Sequence, residues 1–353
     1  MTPPKRVLMT GANGYIGSVM APHFLQAGYE VVGLDTGYFH ECTFVPDAPH
    51  VGVIRKDLRD LQPDDLATYE AVVHLGALSN DPIGNLQPRW TEEINFQASV
   101  RLAQLAKAAG IRRFLFSSSC IMYGMSATAV VTEDSPLDPK TEYARSKVKA
   151  EHAISALADA TFSPTFLRNG TVYGVSPRMR FDTVLNNLMG SAMTTGKVVL
   201  HSDGTPWRPV VHVQDVARAF MAALEAPVAD VHNQAFNTGA NSLNHQIIEL
   251  AEIVAKTVPN CELQVLAMPG ADQRTYQADF GKFARVFPRF EFTWTARTGA
   301  EDLYDGLKRA CVAHDAFLDR RFTRLAWLRH LLATDRLDDS LRWKATREGV
   351  DHD

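Results

Sequence analysis

The sequence predicts an α/β fold: a doubly wound parallel sheet joined to a smaller α/β substrate-binding domain. Three observations predict it. Short apolar runs alternate with helical patterns through the first half of the chain, the order that builds parallel sheets. The first strand leads through a glycine turn into a helix and then a second strand that ends on an acid. Beyond Gly170 the alternation loosens, as expected of a segment folded over one sheet edge.

The first unit spans Lys5 to Asp35. Val7 to Met9 reads as a buried strand, Tyr15 to Gln26 as a helix closed by Gly28, and Val31 to Leu34 as the next strand. The turn between is TGANGYIG, residues 10–17. Gly11 permits the tight turn, Gly14 lets backbone approach a pyrophosphate, and Gly17 lets the helix pack on the strand. The helix N-terminus offers N–H groups and positive dipole to phosphates. Asp35 falls about 20 residues beyond the turn, where an acid accepts hydrogen bonds from an adenosine ribose. Together these form a dinucleotide-binding (Rossmann) fingerprint, with Gly11, Asn13, Gly14, Tyr15, Ile16 and Gly17 assigned to the cofactor. An acid at Asp35, with no cation at Thr36, favours NAD over a 2′-phosphorylated dinucleotide.

The remaining elements follow in order. Val51 to Ile54 reads as a third strand, ending near Asp57 and Leu58. That pair either flanks an adenine or forms an ordinary Asp turn. Ala71 to Leu75 is a fourth strand, and the small residues after it, with Leu75, Gly76 and Ala77 foremost, let a cofactor lie over the sheet edge. A long helix is expected over 88–109, stopped by Gly110. Arg113 to Phe116 is a fifth strand leading to SSSCIMYG (117–124). A helix from Thr141 to Leu157 carries YARSK (143–147), and Thr165 to Arg168 is a sixth strand. Further helices are expected over 180–193 and 244–256, with Asp215 capping one that runs to Leu224. Strands are expected at 198–200, 210–213 and 263–266. The domains predicted are 1–170 with 207–240 returning to it, then 171–206 with 241–315, then a helical tail over 316–353 that serves packing or association.

Composition bounds the function. The chain has 353 residues, 46% hydrophobic and 22% charged, enough to bury a real core. A formal net charge of −4 argues against a general nucleic-acid binder. The four cysteines, Cys42, Cys120, Cys261 and Cys311, are scattered, so neither zinc nor a disulfide framework is indicated. His74 reads as a packed histidine, and His201 and His212 lack carboxylate or cysteine at metal spacing, so no metal is expected. The first strand begins near Met1, leaving no length for a secretory leader, and no apolar run approaches a membrane span. A cytoplasmic location is expected.

Tyr143 and Lys147 are one helical turn apart and share a face. A tyrosine of pKa about 10 is a poor base at neutral pH, but a nearby ammonium and a cationic nicotinamide favour the phenolate. Such a tyrosine takes a proton from an alcohol while the same carbon is oxidised. Ser119, at a strand end, can fix that alcohol. Singly, the Tyr–Lys pair also reads as a surface pair and the serines as turn formers; their order behind a dinucleotide fingerprint changes the odds.

With these segments in place the sequence resembles an extended short-chain dehydrogenase/reductase of the nucleotide-sugar epimerase/dehydratase group. The matching segments are TGANGYIG, Asp35, Asp57-Leu58, HLGALS (74–79), SSSCIMYG, YARSK and a late Asp272-Gln273-Arg274. The resemblance implies a catalytic triad of Ser119, Tyr143 and Lys147, tightly held NAD, a nucleotide-sugar substrate and a homodimer. It gives Asn95 a structural role supporting the site. It places substrate beside Ser79, Ser119, Cys120, Tyr123, Tyr143 and Thr171, with Arg208 and Arg274 gripping the diphosphate; Arg208 as a surface cation is the alternative. The family's 4,6-dehydratases carry an Asp-Glu pair directly after the catalytic serine or threonine. Here Cys120 and Ile121 stand there, which disfavours that elimination; some epimerases of the family use a cysteine two places after the serine, but Cys120 is only one place after it and reads better as core packing. Thr171 stands near where relatives often place an asparagine. What remains is 4-epimerisation through a keto sugar, against a reductase or oxidase of a keto-sugar or other small carbonyl with the same triad, or a silent NAD-binding protein, which an intact Tyr–Lys pair disfavours.

Overall fold

A computed structural model describes residues 5–44, 51–125, 130–268, 274–310 and 317–344. Asp272 and Gln273, the first two residues of the late motif, and Cys311 lie outside them. The chain opens with β1 (Arg6–Thr10), α1 (Gly17–Gln26), β2 (Glu30–Asp35), β3 (Val53–Arg55) and β4 (Ala71–His74). α2 (Asp81–Leu86) and α3 (Pro88–Thr91) lead through a π-helical turn (Glu92–Gln97) into α4 (Ala98–Ala108). Then come β5 (Arg113–Ser119), β6 (Val130–Val131), α5 (Glu142–Ser155), β7 (Ser163–Asn169) and β8 (Thr171–Tyr173). α6 (Val184–Thr195), β9 (Lys197–Leu200), β10 (Trp207–His212), α7 (Val213–Glu225), α8 (Val228–Val231) and β11 (Gln234–Thr238) follow. The last are β12 (Asn244–Gln246), α9 (Ile247–Thr257), β13 (Glu262–Val265), β14 (Gln277–Ala278), α10 (Gly281–Val286), α11 (Ala296–Arg309) and α12 (Arg324–Ala333).

Seven strands form one parallel sheet in the order β3-β2-β1-β4-β5-β7-β11. β1 and β4 are the central pair, and the chain winds outward from them in both directions. The crevice beyond their carboxyl ends is where such sheets bind ligands. Both faces are covered. Met20, Phe24, Phe220 and Leu224 pack on one side, and Leu102, Phe114, Ile154 and Phe162 on the other. That double burial explains the near-continuous apolar runs of β4 and β5. The doubly wound class read from the sequence is the one observed.

A second body covers the carboxyl edge. β8, β10 and β12 form a small mixed sheet, β9 pairs with β13, and α6, α9 and α11 share a core built on Leu185, Leu250 and Leu303. The tail does not stand off the molecule: Trp327, Leu328 and Leu331 of α12 are buried against Tyr38, Leu78 and Trp90.

Several expected elements differ for identifiable reasons. The helix expected over 88–109 is broken by the π turn, which brings the Asn95 carboxamide to the Leu78 backbone. The helix expected from Arg180 starts at Val184, because Arg180 and Asp182 pair in the preceding loop. Asn244 to Gln246 pair antiparallel with Trp207 to Pro209, so that helix starts at Ile247. His212, not Asp215, caps α7. Asp215 is buried inside the first turn and accepts from the Trp294 N–H and the Thr293 hydroxyl.

Candidate active site

The carboxyl ends of β1, β2, β4 and β5 open into a cavity of about 840 Å³ between the sheet and the second body. The glycine turn forms its floor. Gly11 has φ +71°, and a Cβ there would sit 2.8 Å from the Gly76 nitrogen. At Gly17 a Cβ would fall 2.2 Å from the Gly11 carbonyl oxygen. No side chain caps the start of α1, so its N-terminal field is directed at the cavity. Asp35 closes this end. Its carboxylate accepts from the Asn13 N–H at 3.1 Å and the Gly37 N–H at 2.8 Å. Burial raises its pKa, and those two N–H groups, Arg178 and Arg324 oppose the rise. A bare helix end, walls that exclude Cβ atoms and a fixed acid at the second strand fit a dinucleotide.

A buried relay ties this floor together. His74 Nδ1 lies 2.6 Å from the Thr10 hydroxyl and Nε2 lies 2.7 Å from the Ser99 hydroxyl. Ser99 donates its proton to the Asn95 carbonyl, so its oxygen accepts from Nε2–H. Thr10 then donates to Nδ1 and accepts from the Gly76 N–H. The histidine is neutral, and burial pushes its pKa down to about 3.

The other end of the cavity holds Ser119, Tyr143 and Lys147. Thr141 caps α5, bonding the Ala144 N–H while its hydroxyl donates to Asp81. Tyr143 is thereby held at the helix start, hydrogen-bonded to Ser119. Lys147, one turn on, donates to the Ser117 carbonyl at 2.7 Å and sits 5.9 Å from the Tyr143 ring centre. Burial pushes the lysine down to about 7, opposed by Glu151. Burial also raises the Tyr143 phenol, Asp81 raises it further, and Arg180 and the Ser119 hydrogen bond lower it. Desolvation therefore outweighs the cations of the chain, and the protein's own groups leave Tyr143 protonated at neutral pH.

Behind this wall Arg168 and Glu151 form a buried pair. Ser118 donates to Glu151 at 2.8 Å, and Arg168 donates to the Tyr123 hydroxyl at 2.9 Å. These bonds join β7 to β5 and α5, the two elements that carry Ser119, Tyr143 and Lys147.

Of the residues expected at the cofactor, Gly11, Gly14, Tyr15, Ile16, Gly17 and Asp35 line the cavity. So do Asp57, Leu58, Leu75, Gly76 and Ala77. Asp57 also caps a short turn through the Arg59 N–H and pairs with the Arg59 side chain at 2.7 Å. Asn13 is not in the wall; its backbone acts on Asp35 instead. Of those expected at substrate, Ser79, Ser119, Tyr143, Thr171, Arg208 and Arg274 line the cavity. Cys120 and Tyr123 do not. The Cys120 thiol is fully buried and donates to the Arg168 carbonyl at 3.1 Å, and Tyr123 donates to Asn237 at 2.7 Å. The short turn after Ser119 rotates both inward and leaves Ile121 facing the cavity. Arg274 pairs with Asp81 at 2.6 Å and its carbonyl accepts from Arg208, so the two arginines are adjacent.

The sequence reading missed Arg180, Asp182, Asn169 and Arg324, which also line the cavity. Among the described residues no group of three or more His, Cys, Asp or Glu could hold a metal ion, and no helix is long and apolar enough to cross a membrane.

Fold and site together define a dinucleotide-binding α/β protein with a serine–tyrosine–lysine centre. The model of the NAD dependent epimerase/dehydratase family matches residues 7–239, and the chain belongs to that family. The UDP-glucose 4-epimerase of Bacillus subtilis is 28% identical over 327 residues, 84% of this chain and 94% of that protein. The structure of MoeE5 in complex with UDP-glucuronic acid and NAD is 29% identical, with a TM-score of 0.74 over 86% of this chain and 99% of that one. An NAD dependent NDP-hexosamine 5,6-dehydratase, TunA, shares the fold at 24% identity and a TM-score of 0.76, covering 86% of this chain and 97% of that one. The family and fold read from the sequence are therefore borne out.

Proposed function

We propose that the protein is an NAD-dependent epimerase that inverts C4 of a nucleotide-linked sugar through a transient 4-keto intermediate. The observation that carries this is the convergence of Ser119, Tyr143 and Lys147 on the wall of one cavity, which runs from the glycine turn to Arg208 and Arg274. The similarity to UDP-glucose 4-epimerases supports it. So does Ile121 at the wall, where a dehydratase of the 4,6 type needs an acid.

NAD, which the glycine turn, Asp35 and Leu75 to Ala77 would hold, would supply hydride acceptance from C4 and its return to the opposite face, and its cationic ring would favour the Tyr143 phenolate. The chain does the rest. Tyr143 takes the proton of the 4-hydroxyl and later returns it to the new alkoxide. Ser119 fixes the sugar oxygen, and Lys147 holds positive charge against the phenolate as it forms. Arg208 and Arg274 recognise the diphosphate, the task for which paired guanidinium donors suit. Ser79 and Thr171 border the space in which the keto sugar turns over. The assembly we propose is a cytoplasmic homodimer, for which sedimentation at micromolar concentration is the check.

The experiment is incubation of the purified protein with UDP-, dTDP- and GDP-sugars. One of them yields its 4-epimer with no net NADH, and Tyr143→Phe lowers the rate at least about a hundredfold, the usual contribution of a positioned acid–base group. Stoichiometric consumption of added NADH identifies a keto-sugar reductase instead.

A further inference from the structure

Arg324, the first residue of α12, is only 4% exposed, yet it lines the same cavity as the glycine turn and Asp35. It lies beyond residue 239, where the family model ends. Its surroundings account for part of the guanidinium. Nη2 donates to the Arg178 carbonyl at 2.6 Å, and the plane sits 4.4 Å from the Phe39 ring centre. Its backbone N–H donates to Asp182. Nη1 is buried and has no hydrogen-bond partner among the described residues.

Among the described residues no nearby carboxylate is free to serve that donor. Asp182 already pairs with Arg180, and both Asp35 oxygens accept backbone N–H groups. Arg178, Arg180 and Arg324 thus face two acids, Asp35 and Asp182, with a positive charge in excess. A desolvated cation with an unused donor is costly unless an anion completes it. Arg324 shares the cavity wall with Gly14 and Ile16, just before α1, and with Asp35, so it stands on the side of the cavity that holds the dinucleotide cradle.

We propose that Arg324, carried in by the C-terminal segment, binds the pyrophosphate of the dinucleotide, adding a side-chain cation to the backbone donors at the start of α1. The segment is anchored for this task. Trp327 donates to the Tyr38 carbonyl at 2.6 Å and Trp343 to the Thr36 carbonyl at 2.7 Å, clasping the loop that follows Asp35. The tail therefore retains the cofactor as well as packing on the sheet edge. The inference rests on the NAD reading of the site.

The test is titration of nucleotide-stripped protein, full chain, with NAD, ADP-ribose and UDP by calorimetry. Arg324→Gln keeps an amide donor for the Arg178 carbonyl and removes the charge. It weakens NAD and ADP-ribose about tenfold or more, the value of one charge-assisted hydrogen bond, and leaves UDP near the wild-type value. Unchanged affinity for NAD and ADP-ribose overturns the inference while leaving the NAD reading intact. Weakened UDP with unchanged ADP-ribose also overturns it, by assigning the guanidinium to the substrate diphosphate. Failure of the wild type to bind NAD overturns both. Should the glutamine variant not fold, Arg324→Lys decides: one ammonium must divide itself between the Arg178 carbonyl and a phosphate, so a loss of about threefold or more is expected, and a wild-type value overturns the proposal.

Discussion

His74 shows how much a single buried side chain contributes to the floor of the cavity. It was expected to be a packed histidine, and it is one, but it is also the link between the two central strands. Both ring nitrogens are satisfied only in the neutral form, because Thr10 presents its proton to Nδ1. Its folded pKa, about 3, lies below the ordinary 6.5, so between those values the unfolded chain binds a proton that the folded chain does not. Stability from this group is complete above about pH 6.5 and falls as the pH drops toward 3, by about 1.4 kcal/mol per unit. Urea unfolding from pH 7 to pH 4 checks this. His74→Gln, which does not titrate, shows a shallower acid slope by that amount; equal slopes remove the argument. The meeting of Ser119, Tyr143 and Lys147 on one cavity wall was legible because their order behind the glycine turn is distinctive. Cys120 and Tyr123 were expected at substrate for the same reason, yet they face away, since sequence order does not reveal which way a short turn rotates its side chains.

Among the elements, the βαβ unit was the most legible, because local chemistry dictates it. Gly11 and Gly17 stand where a Cβ would strike backbone, and Asp35 ends the strand that follows. The helix expected over 88–109 was legible as helix but not as interrupted. Its π turn is explained by a partner far away: Asn95 Oδ1 accepts the Leu78 N–H at 2.8 Å, and Nδ2 donates to the Leu78 carbonyl at 3.0 Å and to Ser146. Ser146 in turn donates to the Tyr143 carbonyl at 2.7 Å. One side chain thus fixes both the cavity strand end and the helix bearing Tyr143. Asn95→Leu strands two buried backbone groups and costs about 2–4 kcal/mol in denaturant midpoint measurements. It also lowers kcat more than it raises KM, since Tyr143 is displaced while the diphosphate contacts stand. A stability loss with wild-type kcat contradicts the positioning role.

At the scale of the whole molecule, the sheet supplies the dinucleotide cradle, the second body supplies Thr171, Arg208 and Arg274, and the C-terminal segment returns to the cofactor end with Arg324. Alternating periodicity made the sheet readable. The arginines of the loop before α6 and of the tail were not readable, because their neighbours are brought together by folding across more than a hundred residues. In the proposed reaction the C4 hydrogen leaves the sugar and comes back within one site. The most direct measurement is turnover of a nucleotide sugar carrying deuterium at C4, begun with the UDP-glucose series, followed by mass spectrometry of the epimeric product. The product is expected to keep the label, with no NADH accumulating. Loss of the label to solvent, or its appearance in released NADH, would contradict it.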